Sequence, residues 1–238
     1  MIPWVLVDTA TVPDGSGSLR LMRRGDEFSI MSGSNELMNS RVNGSEKALA
    51  DLACDKIRSR PNCSVLIGGL GMGFTLRAAL SGLGRDARVI VAELVPQVVA
   101  WAKGPMAELS AACLADPRVS ILEADVAVSI ASGKSSFGAI LLDVDNGPEG
   151  LTRSANDRLY DRQGLQAARR ALRPGGILAV WSSAPNGDFS RKLRQSSFNV
   201  DEVEVRANGR GGGARHVVRI ATNPGGTVGT IHRGQPGV

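Results

Sequence analysis

Apolar positions along the chain fall into two regimes. From residue 65 onward, short unbroken apolar runs alternate with stretches whose apolar residues recur at helical spacing. The runs are Val65-Leu66-Ile67, Val89-Ile90-Val91-Ala92, Ala139-Ile140-Leu141-Leu142 and Ile177-Leu178-Ala179-Val180-Trp181, with Val119-Ser120-Ile121-Leu122 a further strand interrupted by one serine. A strand without a polar side is one covered on both faces. Between the runs, Phe74 to Leu80, Val95 to Lys103 and Leu159 to Leu172 carry the helical pattern. Pro174-Gly175-Gly176 marks a turn into the fifth strand. A helix over Phe189 to Gln195 then precedes Val203-Glu204-Val205 and His216-Val217-Val218-Arg219-Ile220. This alternation predicts an α/β fold, a doubly wound and mostly parallel sheet whose last pair forms an antiparallel edge.

Residues 1–44 follow a different rhythm. Trp4-Val5-Leu6-Val7, Leu19-Arg20-Leu21-Met22 and Phe28-Ser29-Ile30-Met31 are separated by Pro13-Asp14-Gly15-Ser16-Gly17 and Gly25-Asp26. Short runs between turn residues predict a small antiparallel β region. Ser45 stands where a helix cap is expected, ahead of an amphipathic stretch to Ala53, and Pro61-Asn62 closes that segment. Residues 45–221 then form one Rossmann-like domain in this reading. Residues 222–238, rich in glycine and proline and without periodicity, predict a disordered tail.

Composition narrows the function classes. Apolar and charged fractions of 42% and 21% are those of an ordinary globular protein. The start Met1-Ile2-Pro3-Trp4 lacks the basic-then-apolar order of a secretory leader, and no apolar run reaches the roughly 18 residues of a membrane span, so a cytoplasmic protein is expected. Cys54, Cys63 and Cys113 are scattered, with no C-x-x-C pair. They read as idle thiols in a reducing compartment. The histidines are His216 and His232 alone, so neither histidine catalysis nor a metal centre is expected. The net charge of +5 gathers at Arg20, Arg23, Arg24 and at Arg206, Arg210, Arg215, Arg219. Aromatic residues are 4% of the chain and do not interleave with them as a base-stacking surface requires, so nucleic acid is not the expected partner.

The chemistry gathers at strand ends. Val65-Leu66-Ile67 breaks into Gly68-Gly69-Leu70-Gly71-Met72-Gly73 and resumes as a helix. That order brings backbone close to a nucleotide and aims a helix N-terminus at it. The next strand ends on Glu93, where an acid accepts from the two ribose hydroxyls. Asp125 ends the third strand, placed for an exocyclic amine such as adenine N6. Asp143 and Asp145 follow the fourth, where a reacting partner lies, and carboxylates there suit an amine by pairing with it or taking its proton.

Ile67-Gly68-Gly69, Glu93-Leu94-Val95-Pro96-Gln97-Val98-Val99, Asp116-Pro117-Arg118-Val119, Glu123-Ala124-Asp125, Phe137-Gly138-Ala139-Ile140-Leu141-Leu142-Asp143 and Leu172-Arg173-Pro174-Gly175-Gly176 resemble, in that order, the spermidine synthases, the polyamine aminopropyltransferases. The resemblance covers roughly residues 1–221. It implies a Rossmann-like methyltransferase fold behind a small β region, a cytoplasmic homodimer, decarboxylated S-adenosylmethionine as co-substrate without a metal, and aminopropyl transfer to putrescine or another small amine. It also implies roles: Gly68, Gly69, Gly71 and Gly73 at the nucleoside, Glu93 on the ribose, Asp125 on the adenine amine, and Asp143 as general base with Asp145 beside it. Asn146 and Tyr160 are the implied substrate contacts. Leu37 to Glu46 resembles the family's approach to its first helix, with Asn43 about where a substrate contact is expected.

The chain departs from that pattern at two acids. The family's glycine loop carries an aspartate where Gly71 stands, and Leu70 and Met72 replace glycines. Asn146 takes the place of a second catalytic-segment aspartate. Each missing acid weakens diamine binding by about 1–3 kcal/mol. Gly69, Gly71 and Gly73 have the spacing that general methyltransferases use around intact S-adenosylmethionine, whose carboxylate needs the room a glycine leaves. Three readings follow: an aminopropyltransferase, a methyltransferase, and a nucleoside- or nucleic-acid-binding protein without catalysis.

Overall fold

Two sheets organise the chain in its computed structural model, which describes residues 2–13, 15, 17–144, 156–208 and 212–224. The first is antiparallel, in the order β1 (Val5–Thr11), β2 (Ser18–Arg24), β3 (Glu27–Ser32) and β4 (Asn35–Asn39). Its fourth strand was not foreseen, because Asn35-Glu36-Leu37-Met38-Asn39 is poor in strand-forming residues. Pairing supplies what propensity lacks: Ile30 faces Met38 and Ser32 faces Asn35 across the ladder.

Next comes α1 (Gly44–Asp55), whose N-cap is Asn43 rather than Ser45. Ser45 is buried in the first turn, and its hydroxyl donates to Glu46 Oε2 at 2.7 Å. The chain then alternates through β5 (Ser64–Gly68), α2 (Phe74–Gly82), β6 (Arg88–Glu93), α3 (Pro96–Lys103), α4 (Ala107–Leu114), β7 (Val119–Glu123), α5 (Val126–Ser132) and β8 (Phe137–Leu142), with α4 and α5 added to the elements expected. After it follow α6 (Asp157–Tyr160), α7 (Arg162–Ala171), β9 (Leu172–Ser182), α8 (Gly187–Gln195), β10 (Asn199–Arg206) and β11 (Arg215–Thr222).

These strands form a seven-stranded sheet in the order β10-β11-β9-β8-β5-β6-β7. From β9 to β7 all neighbours are parallel, and β11 runs antiparallel between β9 and β10. The unbroken apolar runs are explained by burial on both faces. Val65 and Ile67 point into the core shared with α1, α2, α3 and the first sheet, whereas Leu66 points into the one beneath α5, α7 and α8.

Three expectations need correction. Pro174-Gly175-Gly176 does not turn into a strand but lies within β9, where the register against β8 slips between Phe137 and Ala139. That is a bulge, the usual place for proline and glycine in a sheet. The helix expected over Leu159 to Leu172 is broken at Asp161, whose extended backbone and carboxylate start α7 by accepting from Gly164 N at 2.8 Å. The expected tail begins too early, since Asn223 is buried and donates from Nδ2 to the carbonyls of Arg169 and Leu172. Residues 225–238 lie outside the described residues.

Candidate active site

Strand order reverses between β5 and β8: from β5 the chain moves through β6 to β7, then returns to β8 on the other side. Ligands of doubly wound sheets sit beyond the carboxyl ends of the strands at such a switch. A cavity of about 190 Å³ opens there. Its floor is formed by Gly69, Gly71, Glu93, Asp125 and Asp143 from the seven-stranded sheet. Its roof is formed by Val12, Leu19, Ile30, Leu37 and Met38 of the antiparallel sheet, with Glu46 of α1 at the side.

The glycine loop earns its glycines by close approach. Gly69 has φ +89°, its N–H donates to the Ala92 carbonyl at 2.9 Å, and a Cβ there would stand 2.6 Å from the Asp143 carbonyl oxygen. No side chain fits between β5 and β8 at that point. Gly71 has φ +51°, and a Cβ there would lie 2.5 Å from Met38 Cε and 2.8 Å from its Sδ. The room expected for a carboxylate beside Gly71 is therefore filled by a thioether from β4. Gly68 ends β5 and Gly73 is the N-cap of α2; neither lines the cavity.

Glu93 is 8% exposed. Its Oε2 accepts from Leu70 N at 2.8 Å and its Oε1 from Val95 N at 2.9 Å. Burial raises its pKa, and these backbone amides oppose the shift. It thereby ties the loop to the end of β6. Asp125 caps α5 by accepting from Ala127 N at 2.8 Å and pairs with Arg158 through its other oxygen.

Asp143 accepts from Thr75 Oγ1 at 2.5 Å. It keeps some surface, which faces the cavity, but dense protein around it denies it bulk water. Its pKa is pushed up to about 7, first by burial and then by the negative charge of Glu46, against the pull of the Thr75 hydroxyl. A carboxyl in that range exchanges protons at neutral pH. Asp145 and Asn146 lie outside the described residues.

No family model matches the chain. Over 129 residues it is 30% identical to polyamine aminopropyltransferase 1 of Streptomyces coelicolor, a match covering 53% of this chain and 23% of that relative. Over 141 residues it is 31% identical to polyamine aminopropyltransferase 2 of Pseudomonas aeruginosa, covering 55% and 38%. The chain spans less than half the length of the curated relatives it matches. Among solved structures, the spermidine synthase of Thermotoga maritima superposes with a TM-score of 0.72 at 19% identity, over 92% of this chain and 72% of that one. A spermidine synthase in complex with the transition-state analogue AdoDATO gives 0.71 over the same shares. The chain has the spermidine synthase fold.

Within this spermidine synthase fold, two predicted contacts fall elsewhere, and three polar or bulky residues are among the lining that was not foreseen. Tyr160 is buried in α6 with its ring edge-on to Phe189 at 5.5 Å, and it does not line the cavity. Packing against α8 accounts for it. Asn43 caps α1 and is likewise absent from the lining. Glu46, Met38 and Trp181 do line it. Met38 and Glu46 carried no role of their own in the sequence, and Trp181 stood only as the last residue of the fifth strand's apolar run. The signal for Glu46 was its place in the stretch resembling the family's approach to its first helix. The indole Nε1 of Trp181 is buried without a hydrogen-bond partner among the described residues, and its ring leans on His216 at 4.8 Å.

Proposed function

We propose that the chain is a spermidine synthase-like transferase that takes decarboxylated S-adenosylmethionine and passes its aminopropyl group to a small amine. The observation that carries the reading is the Asp143 carboxyl, held by the Thr75 hydroxyl in a cavity lined by both sheets, where burial and the Glu46 charge push its pKa up to about 7. A base is most effective when its pKa lies near the working pH. In the reaction the amine lone pair attacks the methylene carbon bound to the positively charged sulfur. The carbon–sulfur bond breaks with its electrons going to sulfur, neutral methylthioadenosine leaves, and the proton shed by the amine passes to Asp143. Holding the amine in line and excluding water supply most of the rate.

The remaining roles follow from position. Glu93 takes the ribose hydroxyls, Asp125 the adenine amine, and the loop from Gly68 to Gly73 the face of the nucleoside. Asp145 and Asn146, next in the chain after Asp143 and Val144, belong to the amine's side. Methyl transfer from intact S-adenosylmethionine would require the Met38 thioether to move from the space beside Gly71. Homodimeric assembly and a cytoplasmic location complete the reading; light scattering and cell fractionation test them.

The deciding experiment offers the protein each donor, decarboxylated and intact, with a mixture of diamines, and identifies the nucleoside product by mass spectrometry. Methylthioadenosine formed from the decarboxylated donor in the presence of diamine is the expected result. S-adenosylhomocysteine would overturn it in favour of methyl transfer.

A further inference from the structure

Two carboxylates line the cavity with no cation among the described residues to balance them. Asp143 accepts from the Thr75 hydroxyl, and Glu46 accepts on Oε2 from Ser45. Among the described residues Glu46 Oε1 has no hydrogen-bond partner, and neither acid forms an ion pair with a lysine or arginine. The cavity's other acids are matched: Glu93 by the amides of Leu70 and Val95, Asp125 by Ala127 N and Arg158. Arginine is not scarce either, since Asp116 pairs with Arg118 and Glu27 with Arg24.

Like charges brought together away from water are costly unless a proton or a cation joins them. A first-turn acid is ordinarily explained by the helix dipole, which accounts for an acid at position 46 but not for its facing Asp143 across a cavity. One side chain holds the arrangement. Thr75 Oγ1 donates to Asp143 at 2.5 Å while standing 3.5 Å from the Glu46 carbonyl oxygen, so α1, α2 and the end of β8 are fixed together. A primary ammonium, with three N–H donors and one positive charge, fits two acceptors of this kind.

We propose that Glu46 is a substrate-binding residue which, together with Asp143, holds a primary ammonium group in the cavity. The ammonium belongs either to the acceptor amine or to the end of the donor's aminopropyl chain. The choice of ligand class rests on the aminopropyl-transfer reading, whereas the unbalanced pair is a feature of the cavity itself. Glu46 supplies from α1 a negative charge that the glycine loop, with Gly71 in place of an acid, does not.

Calorimetry with three ligands tests this: 1,4-diaminobutane, decarboxylated S-adenosylmethionine and methylthioadenosine, which has no ammonium. Each is titrated into the wild-type protein, Glu46→Gln and Glu46→Asp. In Glu46→Gln, at least one ammonium ligand is expected to weaken by about tenfold or more, with methylthioadenosine within about twofold of wild type. Glu46→Asp is expected to recover part of the loss, which a purely structural role would not produce. Weakening of the diamine assigns the acceptor, and weakening of the decarboxylated donor alone assigns its chain. Equal weakening of all three ligands, weakening of none, or a wild-type protein that binds neither ammonium ligand at millimolar concentration overturns the inference. If ammonium binding depends on Glu46 but no methylthioadenosine forms in turnover, the inference stands and the aminopropyl-transfer reading falls.

Discussion

At Asp143, burial and the charge of Glu46 act against the Thr75 hydroxyl, and burial wins. As a base the residue works only when deprotonated, so turnover is expected to rise through pH of about 7 as pH increases. Asp143→Asn is expected to abolish transfer while leaving methylthioadenosine affinity nearly unchanged; an undiminished rate would remove Asp143 from the mechanism. The same shift has a thermodynamic face. The folded-state pKa lies above that of an unfolded aspartate, so the folded state holds the proton where the unfolded chain has released it. The stability from that bound proton is present in full below pH of about 4 and lost as pH rises through about 7. Asp143→Asn is therefore expected to melt above wild type at pH 8 and level with it at pH 4, as calorimetric melts would show.

The elements that matter most are those in which pattern and packing disagree. Strand β4 lacks the composition of a strand, yet it places Met38 against Gly71 and so shapes the end of the cavity. With Met38 in place, methylthioadenosine should bind more tightly than S-adenosylhomocysteine. Met38→Ala is expected to narrow that gap by freeing room beside the loop, and titration of both nucleosides into both proteins measures it; tighter S-adenosylhomocysteine binding in the wild type would refute the steric argument. Strand β11 shows the reverse case. Arg219 read as one of a basic cluster, but it is fully buried, donating to the hydroxyls of Ser190 and Ser182 and to the Asn186 carbonyl, with its guanidinium over the Phe189 ring. Its charge lies 3.5 Å from Glu202, so it is a clamp between α8 and β11 rather than a solvated cation. Arg219→Ala is expected to cost about 3 kcal/mol in urea unfolding with little effect on nucleoside binding, since removing one member of a buried network strands the others. Strands β5, β6, β8 and β9 were legible because burial on both faces leaves an unmistakable apolar run, and the edge strand β7 because its apolar residues fall between an Asp-Pro turn and an acid. The helices α4 and α5 were not, because α4, rich in Ala and Ser, has a weak apolar face and α5 is too short to show a period.

Across the whole molecule the cavity is shared, with Val12, Leu19, Ile30 and Met38 on one sheet and Glu93, Asp125 and Asp143 at the ends of the other. A nucleoside bound there should stiffen both at once. Saturating methylthioadenosine is expected to slow amide hydrogen exchange in β4 and the start of α1 as well as in the glycine loop. Protection confined to the seven-stranded sheet would mean that the antiparallel sheet takes no part in binding. The sequence by itself determined the α/β alternation, the glycine loop and the acids at successive strand ends, because each is written locally: a strand buried on both faces has to be apolar, and a position where a Cβ would stand 2.6 Å from a backbone oxygen has to be glycine. Only the tertiary structure decided what faces those acids. Met38 and Glu46 lie far before Asp143 in the chain and Trp181 well after it, and each suits an ordinary strand or helix taken alone. Their place around Asp143 is set by how two sheets and a helix pack, which no local pattern records.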